Sequence, residues 1–428
     1  VIDGSGAPAR EGCDVLIEGE MITAVGADAA PRAAALPGCE RIDLSGLTLL
    51  PGLIDAHCHI TFDEPASNDE LFFHRRPGLA ALLAGWNARK LLLAGVTGFL
   101  DADVIFDLGV DLRDAIEAGV VEGPRMATGG PALLTSVGGT AGRLLPDQGE
   151  RGYAKIVRTR DEIVIEVRRQ IKDGVDWIKV HATGIVPRQR ERGEIQAFTL
   201  DELRAVCDTA HDLGIPVVAH CRNASSTRDA ARAGVDLILH ATFMDDAALE
   251  AVVESGAGLV PTLTFQANLA DYGGAVGADP ALQELFRREI EGSAKLLRRA
   301  HEAGVDLLCG SESGFSLTPY GHWHARELEI FVEHLGLSPL QALRCASRNG
   351  ARALKLEGRV GEVAPGRLAD LIAVDGDPSR DVRVLGVRAR LRRVFAGGRE
   401  IDLTRPWPQR RPIGGEAVGL YSSEKLHW

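Results

Sequence analysis

The sequence predicts an α/β chain folded as a (β/α)8 TIM barrel, with a small β-sandwich domain built from both chain ends. Three observations predict it. Between residues 53 and 355, short apolar runs alternate with amphipathic helical stretches, the pattern of a parallel sheet covered on both faces. Metal-capable side chains recur at the carboxyl ends of those runs, where a parallel barrel gathers its site. Strand-like segments without intervening helices occur only near the two ends of the chain.

Taken in order, Asp14–Gly19 and Ile22–Gly26 alternate like a hairpin, and Leu47–Leu50 runs into Pro51-Gly52. Similar material returns only at Leu368–Asp377 and Leu391–Gly398. Residues 1–50 and 356–401 are therefore expected to form one β domain and residues 51–355 the barrel. The segment 402–428, with Pro406, Trp407, Pro408 and Pro412, is expected to be an extended arm. The apolar runs of the middle are Leu53–Ala56, Ile178–Val180, Pro216–Ala219, Leu237–Leu239, Gly258–Val260 and Val305–Cys309. Among the helices, Leu200–Leu213 opens at Thr199, an N-cap with Glu202 three residues on. Another runs from Pro280 to Ala303 and stops at Gly304. No G-x-G-x-x-G turn opens an early helix, which disfavours an open dinucleotide-binding sheet.

The chain has 428 residues, enough for one large barrel with an accessory domain, and is 45% hydrophobic and 25% charged. A formal net charge of −12 argues against binding to nucleic acid, which needs a basic face, and against adsorption to an anionic membrane. No apolar run approaches the roughly 20 residues of a spanning helix. The first residues, Val1-Ile2-Asp3-Gly4, carry no basic segment followed by an apolar one, so no secretory signal is read there. Seven cysteines without CxxC spacing suit free thiols, and a cytoplasmic location is expected.

The chemistry sits at the strand ends. His57 and His59 follow Leu53–Ala56, and alternation puts both imidazoles on one side of the strand. Lys179 lies within Trp177–His181, His220 closes Val217–Ala219, His240 closes Leu237–Leu239, and Glu312 follows the run ending at Gly310. One such histidine would be a satisfied structural group as readily as a ligand, and a buried lysine would pair with a carboxylate such as Glu312. Four histidines and a carboxylate in barrel order point instead to a divalent metal site, with zinc expected and cobalt or manganese compatible. His181 points the same way as Lys179 and lines the pocket or bonds at its rim. Arg222 meets a substrate carboxylate or an internal ion pair. His322 and His324 flank Trp323 before a helix at Ala325–Leu335, as pocket wall or packing. Cys58 is expected to point away from the metal, and Cys309 lacks a partner base for nucleophilic work.

Pro51-Gly52-Leu53-Ile54-Asp55-Ala56-His57-Cys58-His59 resembles the signature of the amidohydrolase superfamily. Trp177–Val180, Val218–His220, Leu239-His240, the motif around Glu312, and Gly361–Leu371 extend the resemblance over essentially the whole chain. The nearest subgroup holds the imidazolonepropionase and Xaa-Pro dipeptidase-like members, with hydrolases of phenylurea and thiocarbamate herbicides and ochratoxin amidases. The resemblance implies one or two metal ions. His57 and His59 would hold the more buried ion, and His220 and His240 the second. Lys179, carboxylated by CO2, would bridge them. Glu312 stands where the family has an Asp that touches metal and takes the proton. Thr140, in Val137-Gly138-Gly139-Thr140, replaces a frequent His on a loop expected to face substrate.

The expected function is therefore hydrolysis of an amide-like C–N bond by metal-bound hydroxide. A neutral N-aryl urea or aryl amide is the narrower small-molecule substrate. The alternatives are an Xaa-Pro-type dipeptidase, a lactonase or phosphotriesterase, or a non-catalytic assembly protein of the same fold. A homo-oligomer is expected, with the arm reaching a neighbour.

Overall fold

A computed structural model describes residues 1–65, 76–137, 154–184 and 193–410. The chain opens with β1 (Val15–Glu18) and β2 (Met21–Val25), an antiparallel hairpin with a register shift between Leu16 and Ile17. β3 (Thr48–Pro51) and β4 (Leu53–Cys58) are separated only by Gly52. A side chain there has no room, because a Cβ would stand 2.1 Å from Thr97 Oγ1. β5 (Val96–Asp101) and β6 (Arg125–Thr128) complete a parallel three-stranded sheet with β4.

The next strands are β7 (Ala132–Leu134), β8 (Ala154–Ile156), β9 (Ile178–His181), β10 (Val217–Cys221), β11 (Leu237–His240) and β12 (Gly258–Val260). They form a six-stranded parallel sheet in the order β12-β11-β10-β9-β7-β8. Backbone bonds link the two parallel sheets on both sides. Asp176 N donates to Thr128 O at 2.8 Å beside β6. On the other side, residues 306–313 run between β12 and β4: Leu308 N donates to Leu259 O, and Ala56 N to Cys309 O, each at 2.8 Å. The strand expected at Val305–Cys309 is reduced to isolated parallel bridges, Leu259↔Leu307 and Cys58↔Ser313. Its ladder is interrupted because Cys309 N turns to Cys345 O.

The helices lie between strands as the periodicity expects. Leu200–His211 has the full capping box between Thr199 and Glu202, and Pro280–Glu302 carries Asp279 as its cap. The helix expected at Ala325–Leu335 spans Arg326–Glu333. Two buried clusters divide the strand residues by parity. Ile54, Ala56, Leu100, Val218, Leu239 and Val260 share one, whereas Leu53, Phe99, Val217, Ala219, Ile238 and Leu259 belong to the other, which also holds the helices.

β13 (Leu371–Val374), β14 (Leu391–Ala396) and β15 (Arg399–Glu400) form an antiparallel sheet in the order β15-β14-β13-β3. The pairing Leu371↔Pro51 through Val374↔Thr48 brings the two chain ends together. Ile22 of the hairpin, Leu49, Leu371, Ala373 and Phe395 share one buried cluster. The described part of the arm lies against its own chain. The Arg388 guanidinium stands 3.9 Å from the Trp407 ring centroid, and Arg410 pairs with Asp63 at 2.6 Å. Residues 411–428 of the expected arm lie outside the described residues. No helix among the described residues is long and apolar enough to cross a membrane.

Candidate metal centre

Simple alternation along β4 and β11 would not gather these side chains, and local backbone irregularities do. In β4 the register shifts between Asp55 and Cys58, so Ala56 stays with the inward cluster while Cys58 packs in the outer one. In β11, Leu237 and Leu239 face inward, and His240 follows out of phase. Its φ of +66° turns the ring back toward His220 and His57, at centroid distances of 4.5 and 5.4 Å. Glu312 also has a left-handed φ, +53°. Such conformations cost about 1–3 kcal/mol each for ordinary residues and persist only where surroundings enforce them. Here Glu312 N donates to His57 O at 2.8 Å, and Thr318 Oγ1 donates to Glu312 O at 2.6 Å.

Ligand atoms of His57, His240 and Glu312 lie within 4.8 Å of one another, and so do those of His57, His59 and Asp103. The extra methylene of Glu312 therefore leaves its carboxylate within the cluster. His220 stacks on His181, with centroids 4.7 Å apart and planes 5° apart, and Lys179 Nζ stands 3.2 Å from Asp103 Oδ1. The structure thus brings His57, His59, Lys179, His220 and His240, all buried, together with the half-buried Glu312.

Several polar atoms here are buried without a hydrogen-bond partner. They are His57 Nε2, both nitrogens of His240 and Glu312 Oε2, whereas His59 Nδ1 lies 3.2 Å from Asp103 Oδ1. His57 Nδ1 lies 3.1 Å from Thr262 Oγ1, which fixes the ring and leaves Nε2 inward. Burial holds His57, His220 and His240 well below the usual imidazole range, reinforced by Lys179 for His57, Arg222 for His220 and His220 for His240. Burial thus favours the neutral imidazole, the form that ligates metals. Burial raises the Glu312 carboxyl, against the pull of His59, Arg222 and Lys179. The unpartnered nitrogens and the carboxylates fit a divalent cation.

Of the expected substrate-facing residues, Thr140 lies outside the described residues. His181 Nε2 lies 3.1 Å from Asp103 Oδ2, and burial lowers its pKa to about 3. Arg222 donates to Glu289, stands 3.5 Å from Glu194 and covers the Phe286 ring, so its charge is met within the protein. His324 Nδ1 lies 2.6 Å from Asp55 Oδ2, and Ser311 Oγ donates to the same oxygen at 2.5 Å. Asp55 Oδ1 accepts from His57 N and Ser311 N, tying β4 to the Glu312 segment.

Three carboxylates were missed by sequence reasoning. Asp103, fully buried, follows the apolar run of β5 by two residues, and counting that run would have found it. Glu194 accepts from Thr183 Oγ1 at 2.8 Å and lies 2.9 Å from His220 Nε2. It stands outside any strand and carries no sequence signal. Asp55 was read only as part of a motif, not as a partner of His324.

Gly314 offers a direct test of this packing. A Cβ there, at φ +133°, would lie 2.5 Å from the His59 carbonyl oxygen and 2.9 Å from its Cβ. Gly314→Ala is expected to cost about 1–3 kcal/mol in urea unfolding and to lower the metal retained after gel filtration.

The Amidohydrolase family model matches residues 48–401. Ochratoxinase from Aspergillus niger is 28% identical over 422 residues, covering 93% of this chain and 84% of that protein. A prolidase solved with N-methylphosphonate-L-proline is 30% identical, with a TM-score of 0.77 over 90% of this chain and 94% of that one. Phenylurea hydrolase B shares the fold, with 22% identity and a TM-score of 0.73 over 96% of this chain and 98% of that one.

Proposed function

The chain belongs to the amidohydrolase family, a family of hydrolytic enzymes, and from that premise we propose that it is a metal-dependent hydrolase of an amide-like C–N bond. The observation that carries this reading is the set of buried, unpartnered atoms on His57, His240 and Glu312. A buried polar atom without a partner costs about 1–3 kcal/mol, and one divalent ion would answer several at once. His57 and His59 would hold one ion and His220 and His240 a second, with Lys179 and Glu312 completing the set. The eight-stranded closed barrel is supported by the backbone bonds that join the two parallel sheets on both sides. A β-sandwich at the chain ends is supported by the cluster that hairpin and sheet share.

A bound ion supplies Lewis-acid polarisation of the substrate carbonyl and a lowered pKa for water. The chain's own residues do the rest. Glu312, with Oε2 buried and facing no donor, takes a proton from the attacking water and passes it to the departing nitrogen. Aromatic rings gather beside His59. Phe62 stacks on His59 at 4.3 Å, and Phe315 stands 5.7 Å from His59 and 5.5 Å from Phe265, which faces Phe286 at 6.4 Å. This favours an N-aryl urea or aryl amide. An Xaa-Pro dipeptide, the second reading, has the prolidase likeness behind it. It would need a cation for its carboxylate, and Arg222 is already engaged by Glu289 and Glu194.

The test is a panel of anilides, phenylureas and Xaa-Pro dipeptides, assayed before chelation, after it and after zinc or cobalt return. Aniline release that follows the metal supports the aryl reading. Dipeptide turnover without aniline release supports the second, and metal-independent activity on all of them contradicts both. Phe315→Ala is expected to raise KM for the aryl substrate by an amount worth about 0.5–1.5 kcal/mol, with a smaller change for a non-aromatic amide.

A further inference from the structure

Asp103 has no place in the ligand set set out above, yet it lies at the centre of the cluster. It is completely buried, two residues past the end of β5. Its Oδ1 stands 3.2 Å from His59 Nδ1 and 3.2 Å from Lys179 Nζ, and its Oδ2 stands 3.1 Å from His181 Nε2. With His57 and His59 it makes a two-imidazole, one-carboxylate group whose ligand atoms lie within 4.8 Å of one another. That donor set suits zinc. His57 brings a buried nitrogen that no hydrogen bond satisfies, Nε2, and His59 Nδ1 already faces the Asp103 carboxylate.

We propose that Asp103 is a ligand of the ion held by His57 and His59, and that the Lys179 ammonium is its counter-charge whenever that ion is absent. This rests on the metal-dependent reading above and adds a residue to it. Ion and ammonium compete for one carboxylate. A divalent cation at ligand distance interacts with Asp103 more strongly than a single ammonium 3.2 Å away, because it carries twice the charge and approaches closer. Removing the ion returns Asp103 to Lys179, so neither charge is left buried alone. His181, stacked on His220 and directed at Oδ2, keeps the carboxylate plane turned toward His59.

The test is zinc binding to chelator-stripped protein, read by competition with a chromophoric chelator. The proteins are the wild type, His57→Ala, Asp103→Asn, Lys179→Met and the double variant Asp103→Asn/Lys179→Met. The double variant matters because Asp103→Asn alone leaves a buried ammonium unpaired, and Lys179→Met alone leaves the carboxylate unpaired. Zinc affinity of Asp103→Asn is expected to fall at least about 10-fold. Lys179→Met should still bind one zinc per chain, and the double variant should bind that zinc at least about 10-fold more weakly. In the metal-free state, the melting temperature should fall for Asp103→Asn and recover in the double variant. Equal zinc affinity of Lys179→Met and the double variant, with His57→Ala still impaired, overturns the role of Asp103 and leaves the hydrolase reading standing. No zinc uptake by the wild type removes both.

Discussion

Glutamine at position 312 is expected to lower kcat by about 10²–10⁴-fold, with one or two metal ions still bound. The change keeps the shape of the side chain and the bonds of Glu312 N to His57 O and of Thr318 Oγ1 to Glu312 O, so the left-handed turn stays enforced. What disappears is the oxygen that accepts and returns a proton. Steady-state kinetics on the best aryl substrate, with metal content measured on the same preparation, check this. A kcat within tenfold of wild type would place the proton transfer on another group. Glu312→Asp is expected to retain more activity than glutamine, since aspartate tolerates a φ of +53° better than glutamate and keeps the charge.

The second large effect is on stability. Arg222→Met removes the cation that faces two buried carboxylates, Glu289 and Glu194. Burial already pushes the Glu194 carboxyl up to about 7 and raises that of Glu289, with Arg222 holding both down. Breaking a buried pair from one side costs about 3–5 kcal/mol, and that loss should appear in urea unfolding of the metal-free protein. Adding Glu289→Gln to Arg222→Met should recover a large part of it, because one stranded charge is then gone. A loss below about 1 kcal/mol would mean that Arg222 is solvated like a surface residue.

Much of the architecture was legible in local patterns. The capping box at Thr199 and Glu202 marked the start of its helix, and near-continuous apolar runs marked β9 to β12. Strand material confined to the two chain ends pointed to one shared β domain, and β3 does pair with β13. What stayed hidden depends on dihedral angles and distant partners. Period-2 reasoning explains Lys179 and His220, which share the parity of Trp177 and Val218. It would turn His240 outward, and only its φ of +66° brings the ring back. Arg222 and Glu289 are 67 positions apart, and His324 and Asp55 are 269 apart, so neither pairing leaves a trace in its neighbourhood. Asp103 was within reach, since it lies two residues past the apolar strand β5.

If the buried imidazoles around His57 are metal ligands, an ion binds directly beside them. Anomalous diffraction at the zinc edge, from crystals of protein purified without added metal and then soaked in zinc, tests it most directly. A peak is expected within about 2.0–2.2 Å of nitrogens from both His57 and His59. A well-ordered site with those imidazoles in place and no peak beside them would contradict it.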